Sequence, residues 1–129
     1  MKKLLVLLFS VFISLNSYGD WKYVTTQENG NKYYIDNDSL REHDGYVYWW
    51  GLTDHLKPSK WGHLSISSYN EGDCGINRWK LLSIVFFKQS MGKGEGESHT
   101  PTGDNANWNY PQTNQIDDML LNYACNTIK

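Results

Sequence analysis

The sequence predicts an α+β domain: an antiparallel β-sheet of about five to six strands with a C-terminal α-helix packed on it and one disulfide. Three observations predict this class. Segments rich in β-branched and aromatic residues recur between turn signals over residues 21–88, which is typical of antiparallel strands. The last segment, TNQIDDMLLNYACNTIK, has apolar residues at helical spacing. The chain also holds two cysteines, Cys74 and Cys125.

The first residues predict a secretory signal peptide over residues 1–19. A pair of lysines opens it, an apolar run follows to about Leu15, and the small residues Ser17 and Gly19 precede a cleavage position before Asp20. The alternative, a membrane anchor, is disfavoured because the run is shorter than the roughly 20 residues that span a bilayer. No cysteine follows the run to carry a lipid anchor. We therefore expect an exported domain over residues 20–129, soluble after cleavage, in the periplasm or at the cell surface.

Charge and length limit the partners of that domain. Removal of residues 1–19 takes away two lysines and no acid, so 10 basic residues face 14 acidic ones. This acidic balance disfavours nucleic acid and anionic membranes as partners, since both require a basic footprint. A length of about 110 residues suits one domain.

The two cysteines are interpreted as one disulfide, Cys74–Cys125. In an oxidising compartment two cysteines allow one pairing. Closing a loop of this length restricts the unfolded chain, which stabilises the folded state by about 4 kcal/mol in the entropic model. A redox or zinc site is disfavoured, because the chain has no CxxC motif and two distant thiols offer too few ligands.

The strands are predicted in order along the chain. Asn29-Gly30 separates WKYVTTQ from KYYID, which predicts a hairpin. After a polar turn through Asn37 and REHDG, the segment YVYWWGLTDHL is apolar on both sides and ends at Pro58, as expected of a central strand.

Two further strands and a loop follow. HLSISSYNEGDC carries Leu64, Ile66 and Ser68 on one side and small polar residues on the other, which predicts a strand with one face in water. After a turn at residues 75–77, NRWKLLSIVFFK predicts the last long strand. Residues 89–110 are polar and glycine-rich, and they predict a loop.

The C-terminal segment predicts a helix on the spacing of four apolar residues: Ile116, Met119, Leu120 and Tyr123. Asn114 is the predicted N-cap, and Asp117 and Asp118 lie near the positive end of the helix dipole. Cys125 falls in the last turn. The disulfide is therefore expected to fasten this helix to the strand region at Cys74.

Neither a catalytic site nor a metal site or cofactor is predicted. Asp54 and His55 are adjacent, but neighbouring strand residues point to opposite faces, so Asp54 cannot readily orient His55. No serine lies in a GxSxG motif, and GKGEGE lacks the GK[ST] ending of a phosphate loop. The four histidines are interpreted as solvated loop or strand-end residues.

The aromatic residues offer the most room for function. Most of the 6 tryptophans and 9 tyrosines are expected in the core, but Trp61, Trp108 and Tyr110 fall in predicted loops. Exposed aromatic rings beside lysine are typical of protein or glycan contacts. These three are candidate binding residues, with packing across the sheet edge as the alternative. The glycine-rich residues 92–103 suit either a mobile binding loop or a flexible connection with no binding role.

Several short motifs occur in a fixed order: Trp21, YYID and SLR within residues 33–41, WGLTD and KP within residues 50–58, Cys74, RWKLL from Arg78, MGKG from Met91, Trp108, Pro111 and Cys125. In this order and spacing the chain resembles the surface-adhesin protein E family of small exported bacterial proteins. The resemblance covers nearly all of residues 20–125.

The resemblance implies a sheet crossed by a C-terminal helix, a disulfide at the cysteine pair, no catalytic site and no cofactor. It also implies adhesion to host matrix and plasma proteins such as vitronectin, laminin and plasminogen. The family's ligand-binding segment flanks the first cysteine, and the matching residues are Lys57, Lys60, His63, Arg78 and Lys80. This stretch is less basic than in the family's namesake, since Glu71 and Asp73 interrupt it, and the chain lacks the namesake's anchoring cysteine.

Three functional hypotheses follow. The favoured one is an exported, non-enzymatic protein that binds a protein ligand, such as a host extracellular-matrix protein. The second is a periplasmic structural or assembly protein that binds another component of the bacterial envelope. The third is a small hydrolase. An edge strand of the first hairpin is also predicted to pair with a second copy, giving a homodimer.

Overall fold

The computed structural model describes residues 20–128, and the predicted signal peptide lies outside them. The strands are β1 (Trp21–Thr26), β2 (Lys32–Asp36), β3 (Arg41–His43), β4 (Tyr46–Asp54), β5 (Ser65–Asp73), β6 (Arg78–Phe87) and β7 (Gly96–His99). Helix α1 (Ile116–Thr127) follows them. Short 3-10 turns cover Asn37–Ser39, Ser90–Gly92 and Gly103–Ala106.

All strand pairs are antiparallel, and the strands lie side by side in the order β1-β2-β4-β5-β6-β7. β3 pairs with the first residues of β4, whereas β2 pairs with its last residues. The α+β class, the antiparallel sheet, the C-terminal helix and the disulfide are confirmed. The sheet has seven strands within the described residues, because the polar segments Arg41–His43 and Gly96–His99 also pair.

The predicted first hairpin and central strand are present. The turn between β1 and β2 closes with a hydrogen bond of 2.8 Å from the Gly30 N–H to the Gln27 carbonyl, and Gly30 has a φ of 93°, which glycine adopts without steric cost. β4 lies between β2 and β5 and is buried on both sides, by Val47 and Trp49 on one and Leu52 on the other.

The expectation that the small polar side of β5 faces water is wrong. Ser65 and Ser67 are 0% and 6% exposed, because the turn Ser90–Gly92 folds over them. The Ser65 hydroxyl donates to the Gln89 carbonyl at 2.6 Å and accepts from the Gly92 N–H at 2.9 Å. The hydroxyl is therefore satisfied although it is buried, as a buried polar group must be.

The helix starts one residue later than the predicted cap implies. Gln115 is the N-cap residue, and its side chain makes no capping hydrogen bond. Asn114 instead has a φ of 71°, and its backbone N–H donates to Asp118 Oδ2 at 3.1 Å. The first turn carries Asp117 and Asp118, as predicted, where the helix dipole favours negative charge.

The core lies between α1 and one face of the sheet, which we call the helix face. Leu121, Ala124 and Cys125 of α1 pack on Ile35, Val47 and Trp49. The disulfide Cys74–Cys125 joins the last turn of α1 to the turn between β5 and β6. We call this end of the sheet, where β6 begins, the disulfide end, and the opposite end, where β6 finishes, the Phe87 end.

Among the described residues, α1 is too short and too polar to cross a membrane, and they contain no other helix that would do so.

Candidate functional site

The sheet face opposite α1 carries an array of aromatic side chains, and we call it the open face. Strand alternation places Tyr46, Tyr48 and Trp50 of β4 there, because their neighbours Val47 and Trp49 enter the core. The register pairs Trp50 with Tyr69 of β5. These side chains are half-buried. A sheet face without a helix over it is ordinarily polar, so the aromatic rings require a reason.

The aromatic rings contact one another across the strands. The ring centroids of Trp50 and Tyr69 are 5.1 Å apart, and those of Tyr48 and Tyr69 are 6.2 Å apart. The ring centroids of Tyr46 and Trp108 are 5.7 Å apart. Trp108 comes from the segment predicted as a loop. Such ring pairs stabilise their own arrangement, so the open face is an ordered surface.

At the disulfide end, four of the predicted binding residues come together, and we call them the Trp108 cluster: Arg78, Lys80, Trp108 and Tyr110. The Arg78 guanidinium carbon lies 4.1 Å from the centre of the Trp108 ring, and Lys80 Nζ lies 4.5 Å from it. Arg78 Nη1 donates to the Tyr110 hydroxyl at 3.4 Å. Tyr110 is 64% exposed, so the cluster is open to a partner.

The backbone explains why Trp108 reaches this position. Trp79 and Asn109 form an isolated antiparallel bridge, with N–H to carbonyl distances of 3.0 and 2.8 Å. The bridge holds the end of the segment 89–110 against β6. The position of Trp108 therefore depends on a pairing between residues 30 apart in the chain, which local sequence patterns do not reveal.

Charged neighbours set the electrostatics of this end. Burial acts to raise the pKa of Asp73, but hydrogen bonds from the Ile76 N–H, Arg78 and the Gly75 N–H outweigh it and hold that pKa below its ordinary value. The Tyr110 hydroxyl, and then Asp73, raise the pKa of Arg78. Arg78 is charged at neutral pH, as arginine is in proteins generally, and its ion pair with Asp73, at 3.1 Å, offsets part of its charge.

A second charged contact lies beside the cluster on the open face. The Tyr48 hydroxyl donates to Glu71 Oε2 at 2.7 Å, and this bond, together with burial, raises the pKa of Tyr48 to about 12. Tyr48 thus stays neutral at any physiological pH and fixes the Glu71 carboxylate.

The other four predicted binding residues lie in the loop between β4 and β5: Lys57, Lys60, Trp61 and His63. Lys60 Nζ is 4.5 Å from the centre of the Trp61 ring, and the His63 ring is 5.1 Å from Phe86. This loop lies at the Phe87 end. At roughly 3.3 Å per residue along β5, it is about 26 Å from the Trp108 cluster. The structure therefore separates the eight residues into two groups.

A groove on the helix face was not predicted. Its volume is about 460 Å³, and its lining includes Tyr33, Ile66, Ile84 and Leu120. It exists because α1 crosses the sheet toward the disulfide end and leaves the rest of this face uncovered. The small residues Gly51 and Ser68, both of which line it, are the signal in the sequence that could have indicated open space here.

The histidines do not form a reactive set among residues 20–128. His55 Nδ1 lies 3.1 Å from Asn31 Nδ2, and His43 and His99 each approach one carboxylate. Over the same residues, no group of three side chains is arranged to hold a metal ion.

A family model described as surface-adhesin protein E matches residues 21–126. No curated protein has a significant match to this chain.

The fold is similar to solved structures of Haemophilus influenzae protein E. Crystal form II of that protein matches with a TM-score of 0.60 at 16% identity, over 81% of this chain and 87% of that chain. A second structure matches with a TM-score of 0.59 at 16% identity, over 81% of this chain and 83% of that chain. The Se-Met form matches with a TM-score of 0.54 at 18% identity, over 80% of this chain and 82% of that chain. At these identities the likeness concerns the fold.

Proposed function

This chain belongs to the surface-adhesin protein E family, and we propose that it is an exported, non-enzymatic protein that binds a protein ligand through its open face. The observation that carries the proposal is the Trp108 cluster, where one indole ring contacts two cations beside an ordered aromatic surface. Aromatic and arginine side chains are the commonest energetic anchors of protein interfaces. The ligand is a host extracellular-matrix or plasma protein.

The chemistry of the cluster suits a partner segment with apolar and acidic side chains. The exposed Tyr110 ring offers apolar contact, whereas Lys80 offers a charge without an ion pair of 4.0 Å or less among the described residues. Arg78 is already paired with Asp73. Lys80 is therefore the cation that gains most from a carboxylate of the partner, and it is expected to accelerate association at low salt.

Binding tests need variants that leave the fold intact. We expect Tyr110→Ala and Lys80→Gln each to weaken binding to an immobilised matrix protein such as laminin by roughly tenfold, a loss of about 1.4 kcal/mol. Tyr110 is exposed in the segment that follows the last strand, and Lys80 makes no ion pair of 4.0 Å or less among the described residues, so the melting temperature should change little. Lys22→Gln, an exposed lysine on β1, is the matched control. Equal binding by all variants would refute the assignment of this cluster.

A second function is a periplasmic structural or assembly role in which the same face binds another component of the bacterial envelope. Protease and antibody access to the protein on intact cells, compared with cells whose outer membrane has been opened, separates the two. Access on intact cells supports the adhesin. Access after opening alone supports the periplasmic role.

The proposal includes self-association through β1. This strand lies at one edge of the sheet, where backbone N–H and carbonyl groups point away from β2 and can pair with a second copy. The irregular register between Tyr23 and Thr25 limits that pairing to short segments. Light scattering over a concentration series tests it, and a constant monomer mass at every concentration would exclude it.

A further inference from the structure

The loop between β4 and β5 exposes two large apolar side chains. We call residues 55–63, HLKPSKWGH, the His55–His63 loop. Trp61 is 69% exposed and Leu56 is 64% exposed. Single exposed apolar residues are common, but a tryptophan and a leucine in one short loop form an apolar tip. Neither side chain lines the groove on the helix face.

Hydrogen bonds hold this loop in one conformation. The Ser59 N–H donates to the His63 carbonyl at 2.9 Å, and the His63 N–H donates back to Ser59 Oγ at 3.1 Å. The Leu56 N–H donates to Asn31 Oδ1 at 3.1 Å in the neighbouring hairpin turn. The loop backbone that carries the exposed side chains is therefore preorganised, which lowers the entropy lost on binding.

Charge is distributed unevenly over the molecule. The loop contains Lys57 and Lys60 and no acidic residue. With its neighbours, the Phe87 end carries five lysines against four carboxylates, the lysines being Lys32, Lys57, Lys60, Lys88 and Lys93. The rest of the described chain carries four cations against ten carboxylates. Although the whole chain is acidic, the Phe87 end has more lysines than carboxylates, so an anionic surface does not repel it.

We propose that the His55–His63 loop docks on an anionic lipid surface. Trp61 and Leu56 enter the headgroup region, where tryptophan is favoured at the boundary between water and hydrocarbon. Lys57 and Lys60 lie against the lipid phosphates. The Lys60 ammonium over the Trp61 ring keeps its charge at the level of the headgroups while the ring enters.

A flat lipid surface fits this loop better than a protein pocket does. Interface anchors typically lie at the centre of a broad contact, whereas Trp61 and Leu56 project from one end of the sheet. Two apolar side chains and two lysines give weak, reversible attachment. In this orientation the Trp108 cluster, at the other end, stays free for its protein ligand.

The test is vesicle flotation, using protein expressed as the full chain and purified in the form that cells export. We expect binding to vesicles containing phosphatidylglycerol and not to phosphatidylcholine alone. Trp61→Ala, or Lys57→Gln with Lys60→Gln, should lower the bound fraction on the order of tenfold, and added salt should do the same. The matched control removes two exposed cations outside the Phe87 end, Lys22→Gln with Arg41→Gln, and should keep full vesicle binding.

Each other outcome overturns the proposal. Failure of the unmodified protein to bind anionic vesicles refutes the proposal directly. Equal losses in the loop variants and in the Lys22 and Arg41 control would show attraction by total charge without docking. If the unmodified protein does not bind vesicles and the loop variants lose binding to a host or envelope protein, the loop is a protein contact. These results are independent of the proposed protein-binding face, because the vesicles contain no protein.

Discussion

Gly72 lies directly beneath Leu121, so closely that a Cβ built on Gly72 would be 2.7 Å from Leu121 Cδ1. The same atom would be 2.8 Å from Trp49 Cζ3 and 3.1 Å from Val47 Cγ2. Gly72 is therefore a position on β5 where the helix and the sheet lie in close contact, and the missing side chain leaves room for Leu121 in the core.

The first prediction is that Gly72→Ala destabilises the fold by about 2 to 3 kcal/mol, because an added methyl in a filled core forces its neighbours from their preferred positions. Gly75→Ala is the control: its nearest neighbour, Asp73 Oδ1, would be 3.5 Å away, which is ordinary contact. Urea unfolding measures both. A Gly72→Ala protein as stable as Gly75→Ala would show that the helix is not seated on β5.

The second prediction concerns the disulfide. Replacing both Cys74 and Cys125 with serine should lower the free energy of unfolding by about 4 kcal/mol, since the unfolded chain regains the freedom of a loop with a sequence separation of 51. Calorimetry with and without a reducing agent gives the comparison. Reduction should lower the melting temperature of the unmodified protein and leave that of the double-serine protein unchanged. Equal stability of the two proteins under oxidising conditions would contradict this account.

The third prediction concerns the start of the helix. Trp79 Nε1 donates to Asp117 Oδ2 at 3.1 Å, joining β6 to the first turn of α1. A double-mutant cycle with Trp79→Phe and Asp117→Ala should give a coupling energy of about 1 to 2 kcal/mol. The cycle is needed because Asp117 Oδ1 also accepts from the Asp118 N–H at 3.0 Å. A coupling energy near zero would mean that the bond does not hold the helix.

The fourth prediction is a pH dependence of stability. The pKa of Asp73 lies below its ordinary value in the folded protein, so the folded state holds the ionised form more strongly than the unfolded state does. The resulting stability is present in full above the unfolded pKa of about 4 and is lost as the pH falls through the lower folded pKa. Asp73→Asn should remove this part of the acid sensitivity. Unfolding curves between neutral pH and pH 2 provide the measurement, and parallel profiles for the two proteins would contradict it.

The sequence predicted the long elements because their patterns are local. Asn29-Gly30 supports a hairpin turn by its own backbone preferences, and alternation along β4 is visible without any partner. β3 and β7 escaped prediction because all their residues are exposed and they carry no apolar alternation. They are strands because the edges of β4 and β6 offer backbone hydrogen bonds to segments that turn back beside them.

The start of the helix shows how a tertiary contact overrides a local preference. Asn114 suits an N-cap by composition, but Asp118, buried at the first turn, accepts the Asn114 N–H and a hydrogen bond from Asn77 Nδ2. Asn114 is thereby fixed outside the helix with a positive φ.

The sequence by itself determined the α+β class, the long strands, the terminal helix and the one pairing open to two cysteines, because each follows from local periodicity, turn chemistry or counting. Tertiary structure decided where the candidate binding residues lie. The antiparallel pairing of β5 with β6 sends Arg78 and Lys80 to one end of the sheet and the Lys57 to His63 segment to the other. A bridge between Trp79 and Asn109 then brings Trp108 to the two cations. Such contacts depend on register and chain reversal over long separations, which no local pattern encodes.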